Sequence, residues 1–311
     1  MSARADIVIV NWNSGHLLAE CLASIRTNRE GVDRVIVVDN GSTDGSLAPE
    51  SHAEDWIEFD AAGENLGFAA ACNRGAARCT APFILFLNPD AQLIAGGLPE
   101  ALRFMTSPEG ARVGICGVRL LGRTGAVERH CANFTDPSTY VGQALGLADR
   151  LPRVFTPHFM RSFDHLESRV VDQVIGAFFL VRRPLFEQLN GFDERYFVYF
   201  EEVDFALRAK QAGWDTFYLA SATGYHYGGG TSEKVKARRL FYSLRSRLIY
   251  ARRHFSPAGF VVTAAATLAV EPVSRLAQAV LRRSLDDAGA VLSAYRMLLA
   301  DMAGRRTKGG R

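Results

Sequence analysis

The chain has 311 residues, enough for one large domain or two small ones with a proper hydrophobic core. Its 48% hydrophobic and 22% charged residues are typical of a soluble globular protein. Five scattered cysteines, odd in number and without a CxxC pair, argue against a disulfide framework or a zinc site. The first residues run directly into a strand pattern without the apolar core of a signal peptide. We therefore expect a cytoplasmic protein.

Charge is unevenly divided along the chain, although the formal net charge is only +3. Residues 234–311 carry 16 Lys and Arg against 4 Asp and Glu, whereas residues 1–233 carry 20 against 29. A basic tail of this kind is typical of proteins that meet an anionic surface, either nucleic acid or lipid headgroups. The shift predicts a domain boundary at residue 233, with one domain over residues 1–233 and a basic extension over residues 234–311.

The first 120 residues alternate patterns typical of strands and helices. Apolar runs predict strands at residues 5–12, 34–39, 56–61 and 83–88, and helical patterns predict helices at 16–25 and 67–79. Strands that are apolar on both faces and alternate with helices indicate an α/β fold with a mostly parallel central sheet flanked by helices. Sheets of this type bind ligands at the carboxyl ends of their strands.

Polar clusters follow three of these strands. They are Asn11-Trp12-Asn13, Asp39-Asn40-Gly41-Ser42 and Asn88-Pro89-Asp90. Each cluster alone is ordinary turn chemistry, because Asn and Gly tolerate left-handed backbone and proline presets one dihedral angle. Their joint occurrence at strand ends favours a binding site.

A second segment, residues 174–214, combines a predicted strand, a short helix, an aromatic stretch and a longer helix. The longer helix begins with Glu201, Glu202 and Asp204. Acidic residues at a helix start are also favoured by the helix dipole alone. Directly behind mostly aromatic residues, however, these acids predict a partly desolvated carboxylate cluster. Burial and like charges raise the pKa of a carboxyl group, which suits a general base.

Taken in chain order, seven segments resemble glycosyltransferase family 2, most closely its rhamnosyltransferase-like branch. The segments are VIVNWN, VIVVDNGSTDGS, ENLGFAAACNRG, FLNPDA, GAFFLVRR, GFDERYF and YFEEVDFALR, within residues 5–232. The resemblance implies a GT-A fold, which is Rossmann-like, together with a nucleotide-sugar donor, a divalent cation (Mg²⁺ or Mn²⁺) and inversion at the anomeric carbon.

The resemblance also assigns the catalytic and metal positions. Asp90 matches the last acid of the family's DxD motif and is the expected metal ligand, while Asn88 replaces the first acid and is expected to bind the donor. His226 matches a metal-coordinating histidine of related enzymes; the alternative is a partly buried histidine between two tyrosines. Glu202 is the expected base, supported by Glu201 or Asp204, and a swap with Glu201 stays open. The glycine-rich residues 228–230, with Thr231 and Ser232, are expected to close over the diphosphate.

The other residues that are expected to contact the nucleotide-sugar donor form one wall of its binding pocket. Asp39 matches the residue that meets the nucleotide base, and Arg74 is expected to approach the diphosphate. The other donor-binding candidates are Asn11, Asn13, Asn40, Asn65, Gly67 and Asn73.

The basic tail carries apolar stripes at helical spacing, with arginines beside them. Residues 258–270 hold thirteen uncharged residues, fewer than the roughly twenty that a bilayer span needs, so no simple transmembrane helix is expected. A basic amphipathic helix is typical of a membrane surface. The alternative is a helix docked on the catalytic domain or on another subunit of a homo-oligomer. Arginines that alternate with apolar stripes, rather than with exposed aromatics, argue against a nucleic-acid binder.

These features predict transfer of a sugar to a lipid-linked saccharide at the cytoplasmic face of the membrane, in bacterial cell-surface glycan synthesis. The preferred donor is dTDP-rhamnose; a UDP-sugar (galactofuranose, N-acetylglucosamine or glucose) is the alternative. A non-catalytic nucleotide-binding protein would keep the sheet but lose the acids, and Asp90 and Glu202 are both present. A nicotinamide dehydrogenase is disfavoured because no GxGxxG follows the first strand.

Overall fold

A computed structural model describes residues 3–47, 54–148, 150–228 and 236–308, with side chains described as far as residue 304. The described chain forms two compact units. Unit 1 draws on Met1–Phe134, Phe159–Phe197 and Glu201–Thr231, and unit 2 on Thr135–His158, Val198–Phe200 and Ser232–Arg311. The predicted boundary at residue 233 falls outside the described residues and stays a prediction.

Unit 1 is built on one nine-stranded sheet. Its strands are β1 (Ala5–Asn11), β2 (Val32–Asp39), β3 (Ile57–Ala61), β4 (Phe83–Leu87), β5 (Ala91–Leu93), β6 (Val113–Leu121), β7 (Arg169–Val171), β8 (Phe178–Arg182) and β9 (Asp215–His226). The order is β3-β2-β1-β4-β8-β6-β9-β5, and β7 also pairs with β9.

The predicted α/β fold is confirmed, with a mixed sheet in which most strands share one direction. β1 runs parallel to β2 and β4, and β6 runs parallel to β9. β8 lies antiparallel between β4 and β6, and β5 and β7 run antiparallel to β9. The strand predicted from residue 174 begins only at Phe178, because Gly176 and Ala177 form a turn.

Helices cover both faces of this sheet. In unit 1 they are α1 (His16–Thr27), α2 (Phe68–Ala76), α3 (Gly97–Thr106), α5 (Arg183–Gln188) and α6 (Glu201–Gln211). Alternate residues of β1 explain the two layers: Ile7 and Ile9 pack in the core that α1 and α3 cover, and Val8 and Val10 pack in the core that α2 and α6 cover. Strands buried on both faces therefore read as continuous apolar runs in the sequence.

Unit 2 is helical. Its elements are α4 (Pro137–Leu145), α7 (Lys236–His254), α8 (Pro257–Ala265), a π-helical turn (Ala266–Val270), α9 (Glu271–Leu281) and α10 (Leu285–Lys308). Leu244 of α7 packs with Val291, Tyr295 and Leu298 of α10 to form its core. Asp136 caps α4 by accepting a hydrogen bond from the Thr139 N–H at 3.0 Å.

The apolar helical run of unit 2 extends beyond the thirteen uncharged residues 258–270. Glu271 is buried in ion pairs with Arg247 and Arg275, so its charge does not interrupt the helical run. The run Pro257–Leu281 has 25 residues and is long and apolar enough to cross a membrane, contrary to the expectation from residues 258–270, and 22% of its most apolar window is buried. Length and composition alone do not establish a membrane contact, since buried core helices meet the same criterion.

Candidate active site

The carboxyl ends of β1 and β2 form the first part of the site. Asn11 and Asp39 are paired neighbours in the parallel ladder, which places their side chains side by side. The buried Asn11 amide donates to Asp39 Oδ1 at 2.9 Å and to Ser46 Oγ at 2.8 Å. The Ser42 N–H donates to Asp39 Oδ2 at 3.2 Å. Asn11 and Asp39, both predicted to bind the nucleotide-sugar donor, thus belong to one preorganised cluster of hydrogen bonds.

Asn13 extends this cluster onto the loop after β2. Its backbone has φ 50, a left-handed value that asparagine tolerates better than most residues. Its side-chain oxygen accepts a hydrogen bond from the Thr43 N–H at 2.8 Å, and its own N–H donates to Ser42 Oγ at 3.0 Å. The asparagine therefore ties the ends of both strands together.

Asn40, Asn65 and Gly67 form the next wall. The Asn40 amide donates to Asn65 Oδ1 at 3.1 Å and to the Gly67 carbonyl at 3.2 Å. Gly67 has φ 88, and a Cβ there would lie 2.5 Å from the Phe197 carbonyl oxygen. That oxygen accepts a hydrogen bond from the Phe68 N–H at 2.6 Å. Only glycine fits this close approach at the start of α2.

Asn73 and Arg74, the two residues of α2 that were predicted to bind the nucleotide-sugar donor, already have partners within the protein. The Asn73 amide donates to the Phe192 carbonyl at 2.8 Å and to Glu194 Oε1 at 3.0 Å. Arg74 forms a bidentate ion pair with Asp60, in which Nε lies 2.6 Å from Oδ2 and Nη2 lies 2.7 Å from Oδ1. Arg74 would have to leave Asp60 to reach a diphosphate, so its donor role stays a prediction.

Asp90 and His226 meet because β5 pairs with the end of β9, in a register that sets Ala91 opposite His226. His226 Nε2 lies 3.6 Å from Asp90 Oδ1, and Nδ1 lies 2.8 Å from Glu128 Oε2. Burial lowers the pKa of His226, but hydrogen bonds to Asp90 and Glu128 and their charges outweigh it and raise the pKa to about 9. Asn88, two residues before Asp90 in the chain, is half-buried, and its N–H donates to the Ala177 carbonyl at 3.2 Å.

This arrangement fits a divalent cation held together with a substrate. No group of three or more His, Cys, Asp and Glu side chains in the described part of the chain could hold a metal ion. Mg²⁺ and Mn²⁺ commonly use one or two protein ligands and complete their shells with phosphate oxygens and water. A carboxylate beside the distal nitrogen of a ligating histidine is the usual support of such a ligand. Asp90 and His226 can therefore hold an ion, with Glu128 behind the histidine.

Two adjacent acids at the start of α6, the buried Glu201 and the half-buried Glu202, form a pair. The side chains of Glu201 and Glu202 are hydrogen-bonded to each other. Burial raises the pKa of both carboxyl groups, and the neighbouring charge raises that of Glu201 further. The two carboxyl groups therefore titrate as one coupled pair, whose pKa values lie above the usual range of a glutamate. One oxygen of each group, Oε2, is buried and has no hydrogen-bond partner in the described residues. The Glu202 oxygen is thus an available proton acceptor.

Asp204 has a different environment from this pair. Its buried carboxylate accepts a hydrogen bond from Arg208 Nε at 2.7 Å, and Arg208 also donates to the carbonyls of Leu189 and Gly191. The backbone just before α6 is unusual as well, because Tyr199 and Phe200 have φ 67 and 73. Aromatic residues rarely adopt this conformation, which costs about 1–3 kcal/mol each and is common beside active sites.

The structure gathers the predicted residues into local groups: Asn11 with Asp39 and Asn13, Asn40 with Asn65 and Gly67, Asp90 with His226, and Glu201 with Glu202. Sequence reasoning missed Glu128, which lies 98 residues from His226 and carries no motif. It also missed Ser14 and Ser46, which hold the Asn11 side chain. Residues 229–232 of the predicted glycine-rich loop lie outside the described chain.

Comparison with known proteins identifies the family. The description "Glycosyl transferase family 2" matches residues 6–189. The N-acetylglucosaminyl-diphospho-decaprenol L-rhamnosyltransferase of Mycobacterium tuberculosis is 30% identical over 262 residues, covering 80% of this chain and 84% of that protein. Rhamnosyltransferase WbbL of Escherichia coli K12 is 28% identical over 176 residues, covering 55% of this chain and 62% of that protein.

A solved structure with the same fold is the mannosyltransferase PcManGT of Pyrobaculum calidifontis, in complex with GDP-Man and Mn²⁺. It has a TM-score of 0.58 at 18% identity, covering 97% of this chain and 88% of that one. The likeness confirms the predicted GT-A fold. The chain belongs to glycosyl transferase family 2, in its rhamnosyltransferase-like branch.

Proposed function

We propose that this protein is an inverting glycosyltransferase of cell-surface glycan synthesis. It moves rhamnose from dTDP-rhamnose to a hydroxyl group of a lipid-linked saccharide. The observation that carries the proposal is the Glu201–Glu202 pair, in which the buried Oε2 of Glu202 has no hydrogen-bond partner among the described residues. In a chain of this family, such a carboxylate is suited to accept the proton of the attacking hydroxyl.

The donor assignment is supported by the names of the relatives, which include two rhamnosyltransferases. Asp39 would accept the ring N–H of the pyrimidine, because Asn11 and Ser42 hold its carboxylate in place. Asn40 and Asn65 would line the wall of the nucleotide pocket. A UDP-sugar is the alternative donor, since uracil and thymine present the same ring N–H.

Asp90 and His226 would hold a divalent ion, Mg²⁺ or Mn²⁺. The bound ion would supply positive charge that stabilises the leaving diphosphate. Glu128 would accept a hydrogen bond from His226 Nδ1 and so present Nε2 on the Asp90 side. Asn88 would bind the donor rather than the ion, because an amide is a weaker ligand than a carboxylate.

Glu202 would act as the base on the face of the sugar opposite the diphosphate. Inversion requires the acceptor oxygen to attack from that face as its proton leaves for Glu202 Oε2. Glu201, when protonated, would donate a hydrogen bond to Glu202 and keep the ionised form of that carboxylate in place.

We place the protein at the inner face of the cell membrane through unit 2. At the junction of α9 and α10, Val280 is 73% exposed, Leu281 83% and Leu285 89%. Arg282 and Arg283 lie between these apolar residues. Apolar side chains interleaved with arginines are typical of a segment that enters the headgroup layer, and they bring the enzyme to a lipid-linked acceptor.

The proposal is tested by incubating the protein with Mn²⁺ and either dTDP-rhamnose or UDP-sugars, with a short-chain N-acetylglucosaminyl diphosphate lipid as acceptor. We expect dTDP to raise the melting temperature only with Mn²⁺, and transfer to occur from dTDP-rhamnose with inversion at the anomeric carbon. Stabilisation by UDP with transfer from a UDP-sugar would replace the donor. No response to any nucleotide would contradict the enzymatic proposal.

A further inference from the structure

The helical run Pro257–Leu281 is polar on its buried side and apolar on its exposed side. Thr263, Thr267 and Glu271 follow one another at intervals of four residues, and all three are buried. Every exposed residue of the run except Gln278 is apolar. A surface helix of a water-soluble protein shows the opposite pattern, with its apolar side towards the core. We call the exposed apolar residues of the run the apolar face; Val261, Val262, Ala269, Val273 and Ala277 are among them.

The buried side of the run is held by polar contacts within unit 2. Glu271 forms ion pairs with Arg247 of α7 and with Arg275. Arg247 Nη1 also donates to Thr267 Oγ1 at 3.4 Å, and the Tyr295 hydroxyl of α10 donates to the Thr267 carbonyl at 2.9 Å. A core helix of a soluble protein buries its apolar residues, so this run does not fit that alternative. Polar groups that pair inside a helical unit, behind an apolar outer face, are typical of helices surrounded by hydrocarbon.

Arginines at both ends of the apolar face indicate what covers it. Arg252 precedes α8, Arg282 and Arg283 follow α9, and all three are exposed. A second copy of this chain stacked along the face would bring arginine ends together in either a parallel or an antiparallel arrangement, and like charges repel. Anionic lipid headgroups instead attract the arginines, while acyl chains can cover the apolar residues between them. The charge pattern therefore favours a lipid bilayer over a second subunit.

The neighbouring helices decide how the run can meet the bilayer. α7 packs against α8, and α4 packs against α8, the π-helical turn and α9. α7 carries the exposed Lys236, Arg238 and Arg239, whose charges are costly to place in hydrocarbon. If the run crossed the bilayer, the helices packed against it would enter the hydrocarbon with it. The run can therefore meet acyl chains on one side only, lying along the membrane surface.

We infer that the apolar face is embedded in the acyl chains of the membrane, with the run Pro257–Leu281 parallel to the bilayer plane. Such embedding goes beyond the headgroup contact proposed for the junction of α9 and α10. At a rise of 1.5 Å per residue, a helix of this length presents a stripe about 37 Å long to the lipid. The embedding does not depend on which sugar the enzyme transfers.

Nitroxide labels on introduced cysteines measure how deep the apolar face lies in vesicles that contain phosphatidylglycerol. The five native cysteines are buried, so an exposed new cysteine takes the label selectively. Val261→Cys, Ala269→Cys and Ala277→Cys place the label near the start, the middle and the end of the run, and Ala95→Cys places it on an exposed control site in unit 1. Collisions of each label with oxygen, which concentrates in hydrocarbon, are compared with those of a water-soluble nickel chelate. We expect oxygen to dominate at similar depth for the three labels, and the nickel chelate to dominate at the control site.

Three results of this measurement would overturn the inference. A deep label at Ala269→Cys between two shallow ones would show that the run spans the bilayer. Dominant collisions with the nickel chelate at all three sites would leave the apolar face in water. Few collisions with either agent, together with magnetic broadening between labels, would show that a second copy covers the face.

Flotation at high salt separates embedding from attraction by the arginines alone. In about 1 M NaCl the Debye length is only about 3 Å, so a purely electrostatic contact is released. The unmodified protein should stay on the vesicles, and its release would overturn the inference. Val261→Glu combined with Val273→Glu should weaken this binding more than about tenfold, because two sites lose buried apolar surface. Ala95→Glu is the matched control and should stay bound.

The proposed function is tested separately by binding of dTDP with Mn²⁺ to the same labelled proteins. Labels that favour oxygen in a protein that binds no dTDP would support the embedding and contradict the donor site. Labels that favour the nickel chelate in a protein that binds dTDP would overturn the embedding and leave the donor site intact.

Discussion

At the scale of single residues, two adjacent glutamates at the start of α6 form one coupled carboxyl pair. Glu201 and Glu202 lie in the same helical turn and share a hydrogen bond, and burial raises the pKa of both carboxyl groups. A coupled carboxyl pair titrates as a unit, and its steps of proton release belong to the pair rather than to either residue. Nearby Asp204 does not join this unit because Arg208 engages its carboxylate.

The raised pKa of Glu201 predicts a pH-dependent stability. A carboxyl group whose pKa is higher in the folded state stabilises the fold below its ordinary value of 4.5, and that contribution is lost as pH rises through the folded value. Glu201→Gln removes this loss, so its free energy of unfolding should fall less than that of the unmodified protein between pH 5 and pH 8. Urea unfolding at both pH values measures it, with the exposed Glu187→Gln as control. Parallel pH profiles for Glu201→Gln and the unmodified protein would contradict the assignment.

Glu128 is expected to act through His226. Removing a carboxylate that orients a ligating histidine typically costs about 10–100-fold in metal affinity. Glu128→Gln should therefore weaken Mn²⁺ binding in the presence of dTDP by a factor in that range, and Glu128→Asp should recover part of it. A fluorescence or calorimetric Mn²⁺ titration measures the change, with the exposed Glu30→Gln as the matched control. Unchanged Mn²⁺ affinity in Glu128→Gln would exclude this positioning role.

At the scale of secondary-structure elements, the sequence predicted the strand ends and the direction that most strands share, but not which strands run antiparallel. Asn11 and Asp39 were expected to meet because both end buried strands, and the parallel register places them side by side. The antiparallel direction of β8 was not predictable from its apolar run, since the pattern of a buried strand is the same in either direction. Glu128 could not be predicted because its contact with His226 depends on the pairing of distant segments.

The start of α2 offers a test of backbone geometry. A methyl group added at Gly67 would be forced against the Phe197 carbonyl, on a backbone whose φ is 88. Gly67→Ala should therefore lower the free energy of unfolding by about 1–3 kcal/mol and weaken dTDP binding. Gly63→Ala is the control, because its φ is 80 but nothing lies within 4 Å of the added carbon. Chemical denaturation should show the larger loss for Gly67→Ala, and equal losses would rule out the close contact as the cause.

At the scale of the whole molecule, residues 1–233 and residues 234–311 differ in charge and in architecture. The acidic first part forms a mixed sheet with polar strand ends, and the basic tail contributes helices with exposed apolar residues. The grouping of Thr135–His158 and Val198–Phe200 with the C-terminal helices was not predicted. No local pattern marks those segments, because their assignment depends on packing against residues far along the chain.

The exposed leucines at the junction of α9 and α10 in unit 2 predict membrane binding. Leu281→Glu combined with Leu285→Glu should lower binding to anionic vesicles more than about tenfold, since burying one leucine contributes about 1.5–3 kcal/mol. Flotation with vesicles that contain phosphatidylglycerol measures the loss. Leu166→Glu is the matched control in unit 1, where Leu166 is 58% exposed. Equal flotation of the double variant and the control would place the membrane contact elsewhere or exclude it.

The most direct test of the account is the turnover of Glu202→Gln, which keeps the size of the side chain and removes its basicity. Glu202→Gln should transfer sugar about 10²–10⁴-fold more slowly, the usual contribution of a general base. Its affinity for dTDP with Mn²⁺ should match that of the unmodified protein. Single-turnover transfer from dTDP-rhamnose, measured beside calorimetry of dTDP, separates the two quantities. Turnover close to that of the unmodified protein, at equal nucleotide affinity, would contradict the assignment of Glu202 as the base.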